Sequence, residues 1–440
     1  MKITHSNSTS LANHRTTLKR MAASLSSILP AVLSPVLFLA ACSTVPTPIP
    51  TSTSTPSPTQ PTAKPSAKIS PSASEKVLET IAWADLPGWQ NDDLRDFWAA
   101  WQQNCKGLIK RKDGDGTDWP RLCAQAASIN GTDSADVRRF IESNFIPQRI
   151  MLKTLTDGTV TGQQTQGLIT GYYEPVYKGS RARTNVYSAA LYAPPADLIT
   201  VELGSLYPEL KNQRVRGRLF ESKQGTKLIP YLSRAEIAQA SNKPPFSGKE
   251  LAWLDPLDAF FIEVQGSGRV EFEDDKQLRV GYADQNGHPY KSIGRWLVDQ
   301  GELTLDQASA QNIREWAKKN PQRRQEMLNA NPSQVFFREL TNLQPSDGPL
   351  GALGVPLVAQ RAIAIDPKFI ALGSLIYLNT TYPNTTQPLQ RLMIAQDTGG
   401  AIRGAIRADY YWGTGHSAGE QAGKMRQQGE MYLLTTKPDN

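Results

Sequence analysis

Short runs of β-forming residues, interrupted by Gly and Pro, extend from Gly167 to Leu434 and restrict the folds that this chain can adopt. Runs of this kind, bounded by turn residues, are typical of strands. We interpret LAWLDPLDAFFIEVQGSGRVEFEDD, in the middle of this region, as further strands. The preceding segment, 75–150, instead spaces its large apolar residues as helices do. The pattern predicts a mainly β (α+β) chain with barrels or sandwiches at its centre.

The first 41 residues have the layout of an export signal. They contain four basic residues and no acidic residue, and they end in an uncharged apolar run from Met21 to Ala41. A basic stretch followed by an apolar stretch is typical of secretory signals. A membrane-spanning helix is the alternative, but Pro30 and Pro35 interrupt the run and leave it short for a span. We therefore expect residues 1–41 to be a signal peptide.

Cys42 follows the short sequence Leu-Ala-Ala, and this arrangement resembles the lipobox of bacterial lipoproteins. The resemblance implies that Cys42 becomes the first mature residue, carries a lipid and anchors the exported chain to a bacterial membrane. Ser43 at the next position favours the outer membrane, with the folded body facing the periplasm. Residues 42–74 are rich in Pro, Ser and Thr, which predicts a disordered tether between the anchor and that body.

The net charge of +7 comes from 48 basic and 41 acidic residues, and the signal holds four of the basic ones. Without the signal, 44 basic and 41 acidic residues remain, so most of the excess charge belongs to targeting. No basic cluster with interleaved aromatic residues follows later in the chain. Nucleic acid is therefore not an expected partner.

Cys105 and Cys123 are the only cysteines beyond Cys42. A remaining even pair in an exported protein favours a disulfide, because the compartment outside the cytoplasm is oxidising. Two buried free thiols are the alternative, since the geometry of a bridge cannot be read from sequence.

Metal chemistry is not expected, because only His288 and His416 remain beyond the signal and no metal-binding spacing is present. The chain also has no P-loop and no dinucleotide-binding fingerprint. We therefore expect neither a metal nor another cofactor, and the remaining candidate chemistry is that of carboxylates.

Two carboxylates, Asp397 and Asp409, stand in the Gly-rich and aromatic segment IAQDTGGAIRGAIRADYYWGTG. Apolar surroundings disfavour the charged form of an Asp and so raise its pKa. A carboxyl that holds a proton near neutral pH suits a general acid in glycosidic cleavage. The alternative is that both side chains only accept backbone N–H groups in tight turns, and the pattern alone leaves that choice open.

This segment, continued as HSAGEQAGKMRQQGEMYLL, resembles the three-aspartate (3D) domain. With LITGYYEPVYKGS, DPLDAFFIEVQGSGRV and GPLGALGVPLVAQRAIAIDP, the chain resembles the membrane-bound lytic murein transglycosylase A family from about Gly167 to Leu434. The resemblance implies a double-psi β-barrel domain with an inserted second β domain. We expect a helical region leading into the first barrel strand at 75–175, the insert at 176–332 as one wall of a glycan groove, and the catalytic barrel at 333–436.

The resemblance also implies a reaction. Family members cleave the β-1,4 bond between N-acetylmuramic acid and N-acetylglucosamine in peptidoglycan and leave a 1,6-anhydro end, without a cofactor. Asp409 matches the family's catalytic acid and would also act as the base, while Asp397 would support it in the same cleft. Peptidoglycan glycan strands are thus the expected partner, and other cell-wall enzymes are further candidate partners.

Two further matching motifs supply the expected substrate-binding residues of the groove. They are Thr170, Gly171, Tyr172, Tyr173 and Glu174 from TGYYE, and Gln265, Gly266 and Ser267 from QGS. Glu263 is an additional candidate for a second carboxylate.

Two other functions are consistent with the same motifs. A hydrolytic glycosidase would use Asp409 as acid and Asp397 as the base for a water, and it would leave reducing ends. An expansin-like module would bind wall glycan without cutting it. The products distinguish the two enzymes, and an Asp409→Asn variant that keeps all function would indicate the binding module.

Overall fold

The computed structural model describes residues 73–109, 117–157, 159–207, 210, 215–240, 243 and 245–438. The expected signal peptide, Cys42 and nearly all of the expected tether lie outside these residues. Within them, no helix combines the length and the apolar composition needed to cross a membrane.

The described elements are mainly strands, as the sequence predicts. The strands in chain order are β1 (Ala73–Thr80), β2 (Phe145–Thr156), β3 (Thr159–Gln164), β4 (Gly167–Glu174), β5 (Val176–Ser180), β6 (Ala189–Tyr192), β7 (Ile199–Val201), β8 (Val215–Ser222), β9 (Gly225–Pro230), β10 (Glu250–Leu254), β11 (Ser267–Glu271), β12 (Gln277–Gln285), β13 (Val335–Glu339), β14 (Ala362–Ile365), β15 (Leu375–Thr381), β16 (Pro388–Thr398), β17 (Ala408–Thr414) and β18 (Arg426–Thr436). The helices are α1 (Arg95–Leu108), α2 (Trp119–Ala126), α3 (Ser134–Asn144), α4 (Arg234–Ala240), α5 (Pro256–Gln265), α6 (Ile293–Asp299), α7 (Ala310–Lys319), α8 (Arg324–Asn329) and α9 (His416–Lys424), with short 3-10 turns at Trp83–Asp85 and Trp89–Asn91.

A nine-stranded sheet contains a closed barrel. Its order is β1-β2-β18-β15-β16-β14-β17-β4, β3 adds to β2, and β18 also pairs with β4. The last pairing joins β18, β15, β16, β14, β17 and β4 into a ring, so these strands have no open edge. Fully buried apolar residues such as Ile169, Ile363 and Ile376 fill its interior. The expected fold class, a mainly β chain with a double-psi-type barrel, an inserted β domain and an N-terminal helical region, is confirmed.

A second sheet, with six strands in the order β13-β12-β11-β5-β10-β6, lies between barrel strands β4 and β14 in the sequence. Strands β7, β8 and β9 form a separate three-stranded sheet in the same stretch. The expected end of the insert was residue 332, but β13 pairs with β12. Val335–Glu339 therefore belongs to the insert sheet and not to the barrel.

Two other segments differ from the expected elements. Ala73–Thr80 is a strand and not part of a helical region, because it pairs along its full length with β2. Pro256–Gln265 is a helix and not a strand, because Asp255 accepts the Leu257 N–H at its start and Gly266, with a φ of 74°, ends it. Local capping thus outweighs the β-like composition of this segment.

Helices α1, α2 and α3 pack against the barrel through an aromatic core. Its largest buried members are Trp89, Trp98, Trp101, Trp119, Phe97, Phe140, Phe145, Tyr377 and Tyr432. A disulfide joins Cys105 of α1 to Cys123 of α2, with Cα atoms 5.8 Å apart. The two cysteines that the sequence analysis pairs are therefore bridged in the structure.

Candidate active site

Asp397 and Asp409 lie in one row across the outer face of the barrel. Asp397 on β16 and Asp409 on β17 both pair with Ala364 of β14, which lies between them. Asp409 also pairs with Thr170 of β4, and Thr170 pairs with Arg426 of β18. Residues in register on neighbouring strands point to the same side of a sheet. Both carboxylates therefore face the same side of the barrel wall.

The residue between the two carboxylates, Ala364, has a small side chain that is itself only 3% exposed. Two strand spacings place the Cα atoms of the aspartates roughly 10 Å apart. A bulge at Gln396 of β16, opposite the step from Ile363 to Ala364, brings Asp397 into the row. Ile363 and Ile365, on either side of Ala364, instead belong to the apolar interior. The alternation of the strand thus places apolar groups inside and carboxylates outside.

Asp409 is held by a cation and a hydroxyl. Arg407 forms an ion pair with Asp409 Oδ1, and the Thr170 hydroxyl donates to the same oxygen. Arg407 Nη2 also donates to Thr170 Oγ1 at 2.9 Å. The side chains of Arg407 and Asp409 are 15% and 21% exposed, so the pair is shielded but still open to an incoming ligand.

Asp397 is half-buried, and its Oδ1 accepts the backbone N–H groups of Ala352 and Thr398, each at 2.9 Å. Burial raises the pKa of Asp397 from its ordinary value of 3.8 to about 6, and the charge of Asp409 adds to this rise. The two N–H groups and the nearby Tyr172 hydroxyl oppose it, because they favour the ionised form. Asp397 therefore gains or loses a proton just below neutral pH.

Tyr172 supplies a proton donor beside both carboxylates. Its ring packs against Tyr411 with centroids 5.2 Å apart. Its hydroxyl is buried and makes no hydrogen bond of good geometry to the described residues. Burial raises the pKa of this phenol well above 10, and Asp397 and Asp409 add to the rise. Tyr172 therefore keeps its proton and can donate it in a hydrogen bond to Asp397 or to a ligand.

The motif TGYYE alternates between the two faces of β4. Thr170, Tyr172 and Glu174 share the side of the aspartate row, because side chains alternate along a strand. Gly171 and Tyr173 face helix α9 at the end of the barrel. The structure therefore does not bring the side chains of Gly171 and Tyr173 to the carboxylates, although the motif as a whole was expected to line the groove.

Glu174 is fully buried in a cluster of charges. Its carboxylate pairs with Arg269 at 2.8 Å and with Arg279 at 3.2 Å, and it accepts the Thr414 hydroxyl at 2.9 Å. Arg269 and Arg279 of the insert therefore bind the carboxylate oxygens of Glu174, which was expected to bind the glycan. Glu174 joins the barrel to the insert and has no exposed surface for substrate.

The expected groove residues of the insert make structural contacts. Gln265 Oε1 accepts the Tyr173 N–H at 3.1 Å, Gly266 ends α5, and the buried Ser267 begins β11. Glu263 is buried in a two-pronged ion pair with Arg234, at 2.7 and 3.0 Å. These contacts fix the insert internally and attach it to β4.

Sequence reasoning missed Arg407, Ala352 and Asp366. Arg407 had a usable signal, because a residue two positions before Asp409 in an extended segment shares its face. Ala352 had none, since its N–H reaches Asp397 from a loop distant in sequence. Asp366 accepts the Lys368 N–H within its own turn and the Gly404 N–H of a distant loop. Accepting backbone N–H groups is the alternative that the sequence left open for the other two aspartates, and Asp397 also accepts two of them.

The site offers carboxyl, guanidinium and hydroxyl groups on one face of the barrel. Within the described ranges, no group of three or more His, Cys, Asp or Glu side chains could hold a metal ion. The arrangement can exchange a proton at one carboxyl and present a second negative charge beside it. These are the requirements for acid–base cleavage of a glycosidic bond.

Two family models match this chain. The MltA specific insert domain matches residues 168–338, and the 3D domain matches residues 361–435. Membrane-bound lytic murein transglycosylase A of Escherichia coli K12 is 34% identical over 278 residues, which cover 61% of this chain and 66% of that protein. The matched segment thus spans just under two thirds of the relative's length.

Solved structures extend the similarity over more of the chain. MltA from Neisseria gonorrhoeae is 36% identical, with a TM-score of 0.68, and the match covers 83% of this chain and 94% of that one. E. coli MltA with bound chitohexaose is 25% identical, with a TM-score of 0.57, over 82% of this chain and 95% of that one. The matches include both the barrel and the insert described above.

Proposed function

This chain belongs to the membrane-bound lytic murein transglycosylase A family, and from that premise we propose that it degrades peptidoglycan. It cleaves the β-1,4 bond between N-acetylmuramic acid and N-acetylglucosamine and leaves 1,6-anhydromuramic ends. The observation that carries the proposal is the aspartate row, in which two carboxylates flank Ala364 on the outer face of the barrel. The oligosaccharide bound by the E. coli relative supports a glycan as the ligand of this face.

Asp409 carries out both proton transfers of the proposed reaction. As acid, it protonates the glycosidic oxygen while the bond from C1 to that oxygen breaks. The C6 hydroxyl oxygen of the same muramic residue then bonds to C1, and its proton returns to Asp409. The carboxyl ends in its starting state, no water is consumed, and the product is an intramolecular ether.

Asp397 supports this chemistry as a charged neighbour. With a pKa of about 6 it is mostly ionised at neutral pH, so it can stabilise positive charge that develops at C1. Proton donation by Asp409 requires that the glycan displace Arg407, which is its partner in the free chain. Tyr172 can donate either to Asp397 or to a sugar oxygen in the occupied site.

Anchoring and partners extend the same proposal. A lipid on Cys42 holds the enzyme at a bacterial membrane. Ser43, the next residue, favours the outer membrane, with the folded body in the periplasm. The association of its relative with a membrane, stated in that protein's name, supports this location. Glycan strands are the substrate partner, and other cell-wall enzymes are candidate protein partners.

Mass spectrometry of the products released from purified peptidoglycan tests the reaction. We expect anhydromuropeptides from the wild-type chain and a loss of about 10²–10⁴-fold for Asp409→Asn, the range for a general acid–base group. Asp397→Asn should lose less. Asp299→Asn is the control, because that exposed carboxylate pairs with Arg295 on α6, away from the aspartate row.

Each other outcome assigns a different function. Reducing ends from the wild type would establish the hydrolase instead. A complete loss in Asp397→Asn with activity retained in Asp409→Asn would exchange the two roles. Binding to sacculi without any release would establish the expansin-like module and overturn the enzymatic proposal.

A further inference from the structure

One loop contacts both the buried arginines of the insert and the aspartate row. It comprises residues 344–357, between β13 and β14, and we call it the connecting loop. We propose that the connecting loop is a positioning element, through which the insert holds Asp397 in the arrangement that glycan cleavage needs. The inference rests on the proposed function, because it concerns the same pair of carboxylates.

Two arginines of the insert hold the first part of the connecting loop. Arg269 of β11 donates to the carbonyl oxygens of Pro345 at 2.9 Å and Asp347 at 2.8 Å. Arg279 of β12 donates to the carbonyl oxygens of Gln344 at 3.0 Å and Asp347 at 2.9 Å. Hydrogen bonds from charged donors are stronger than neutral ones. The position of residues 344–347 therefore depends on the insert.

Glu174 orients both arginines from the barrel side. It is fully buried and pairs with Arg269 and Arg279, each of which is only 8% exposed. A buried charge without its partner is strongly unfavourable, so the three groups have little freedom to rearrange. The cluster thus fixes the loop, the insert sheet and strand β4 relative to one another.

The second part of the connecting loop contacts β16 at the carboxylate itself. Ala352 N–H donates to Asp397 Oδ1 at 2.9 Å, and Leu353 N–H donates to the carbonyl oxygen of Gln396 at 3.0 Å. Only a few residues separate these contacts from Asp347. A displacement of residues 344–347 therefore reaches the N–H that Asp397 accepts.

The connecting loop is compact enough to transmit such a displacement. Within it, Leu357 N–H donates to the Pro349 carbonyl at 2.9 Å, and Gly351 N–H donates to the Val355 carbonyl at 3.1 Å. A Cβ on Gly348 would lie 2.2 Å from the Leu357 carbonyl oxygen. The segment is closely folded on itself and has no long unsupported stretch.

A second contact competes with this explanation. Leu353 and Val355 pack into the aromatic core of the N-terminal helices, where they are 7% and 5% exposed. If this packing alone fixes Ala352, the arginines of the insert will have no influence on Asp397. The experiment therefore has to separate these two supports.

The sign of the expected effect follows from the surroundings of Asp397. The groups that face it are Tyr172 on β4 and Asp409 on β17 with its partner Arg407, besides the Ala352 and Thr398 N–H donors. The Ala352 N–H favours the ionised carboxylate and lowers the pKa of Asp397. Weakening this bond should therefore raise the pKa, by about half a unit to one unit for a single hydrogen bond.

Arg279→Lys in the full chain is the principal test. A lysine can still pair with Glu174, but its single ammonium cannot hold two carbonyl groups in the fork geometry of arginine. We expect the pKa of Asp397, measured by carbon-13 NMR of Asp-labelled protein, to rise by about half a unit to one unit. Asp397→Asn identifies the resonance, and the pH profile of kcat should shift in the same direction.

Arg234→Lys is the matched control. Arg234 is also 8% exposed, pairs with the buried Glu263, and donates to the carbonyl oxygens of Asn331 and Ser333. It lies in the insert but makes no hydrogen bond to the connecting loop among those of the described residues. Its substitution should lower stability without changing the pKa of Asp397.

Gly351→Ala tests the loop without changing an arginine. A Cβ at this position would lie 2.5 Å from the Gln396 carbonyl oxygen, so the loop must move away from β16. We expect the same upward shift of the pKa. This variant keeps the proposal testable if Arg279→Lys does not fold.

The outcomes separate this inference from the proposed function. An unchanged pKa in folded Arg279→Lys overturns the role of the insert, and an unchanged pKa in folded Gly351→Ala overturns that of the loop. If the pKa of Asp397 rises in Arg279→Lys but the wild-type chain yields no anhydromuropeptides, the positioning role is supported and the proposed function is overturned. Equal shifts in Arg234→Lys and Arg279→Lys would indicate general loosening and also overturn the proposal.

Discussion

At the scale of single residues, Asp397 and Asp409 have the same side chain but opposite surroundings. Arg407 and Thr170 hold Asp409, whereas Asp397 accepts only uncharged donors among the described residues. Burial raises the pKa of Asp397 to about 6, and carboxyls tuned by their surroundings are common in acid–base sites. The raised pKa comes from the surroundings of Asp397 in the folded chain. It should therefore affect the stability of the protein as well as its activity.

Asp397→Asn should stabilise the protein at neutral pH. The folded chain has a pKa of about 6 at this carboxyl, against 3.8 for the ordinary group. Between these values the folded state binds a proton that the unfolded chain releases, so stability falls as pH rises and the loss is complete above about 6. We expect a gain of about 1–2 kcal/mol in unfolding free energy at pH 8, which disappears near pH 4.

Urea unfolding at the two pH values measures this effect. Asp409→Asn is the control, because it removes the partner of Arg407 and should not stabilise the chain. An Asp397→Asn variant that is no more stable than the wild type at pH 8 would contradict the raised pKa.

At the scale of elements, strand β4 connects the predicted motif to the observed site. The β-prone run 167–174 was predictable from its residues, and alternation along a strand follows from its geometry. The sequence alone does not show which face of β4 points toward the aspartate row and which points toward α9. For that reason the family resemblance predicts a groove position for all five residues of TGYYE, although Gly171 and Tyr173 face α9.

Gly171→Ala should damage the barrel more than it damages any glycan contact. A Cβ at this position would lie 2.7 Å from Trp412 Nε1 and 2.9 Å from Ala422 Cα, and the backbone atom cannot easily move. We expect a loss of about 1–3 kcal/mol in unfolding free energy, as for other overpacked interiors. Thermal unfolding measures it, with Gly400→Ala as the control, because a Cβ there meets nothing within 4 Å. A Gly171→Ala protein of wild-type stability that loses only glycan affinity would restore the groove role.

Other elements show what local pattern can and cannot predict. The strand that holds Asp397 was predictable because its apolar run LMIA is soon followed by Gly399 and Gly400. Ala73–Thr80 was not, because its strand depends on pairing with β2, far along the chain. The row of aspartates was expected from a family resemblance, and no spacing in the sequence reveals that both residues pair with Ala364. Arg407 could have been found from its position, but the loop that brings Ala352 to Asp397 could not.

At the scale of the whole described body, buried ion pairs join segments that are distant in the sequence. Glu174 with Arg269 and Arg279 connects the barrel to the insert. Arg361 and Asp92, 1% and 2% exposed, connect the barrel to the N-terminal helical region. Such pairs contribute little net stability compared with apolar packing, but the removal of one partner leaves a costly charge. They therefore specify how the segments are joined.

Arg361→Gln should destabilise the junction between the helical region and the barrel. Arg361 donates to both oxygens of Asp92 at 2.8 and 2.9 Å and to the carbonyl oxygen of Leu392 at 3.0 Å. Without the guanidinium, the buried carboxylate of Asp92 keeps a single donor among the described residues, the Leu392 N–H at 2.7 Å. We expect a loss of about 3–5 kcal/mol in unfolding free energy, measured in urea.

The double variant Asp92→Asn/Arg361→Gln distinguishes the charge from the shape of the junction. An asparagine at 92 can still accept the Leu392 N–H and carries no charge, so it should recover part of the lost stability. Arg95→Gln is the exposed control, because the Arg95–Asp93 pair has side chains 63% and 51% exposed and should leave stability unchanged. If the double variant is no more stable than Arg361→Gln, an unpaired carboxylate is not the cause, and the packing of Arg361 itself holds the helical region to the barrel.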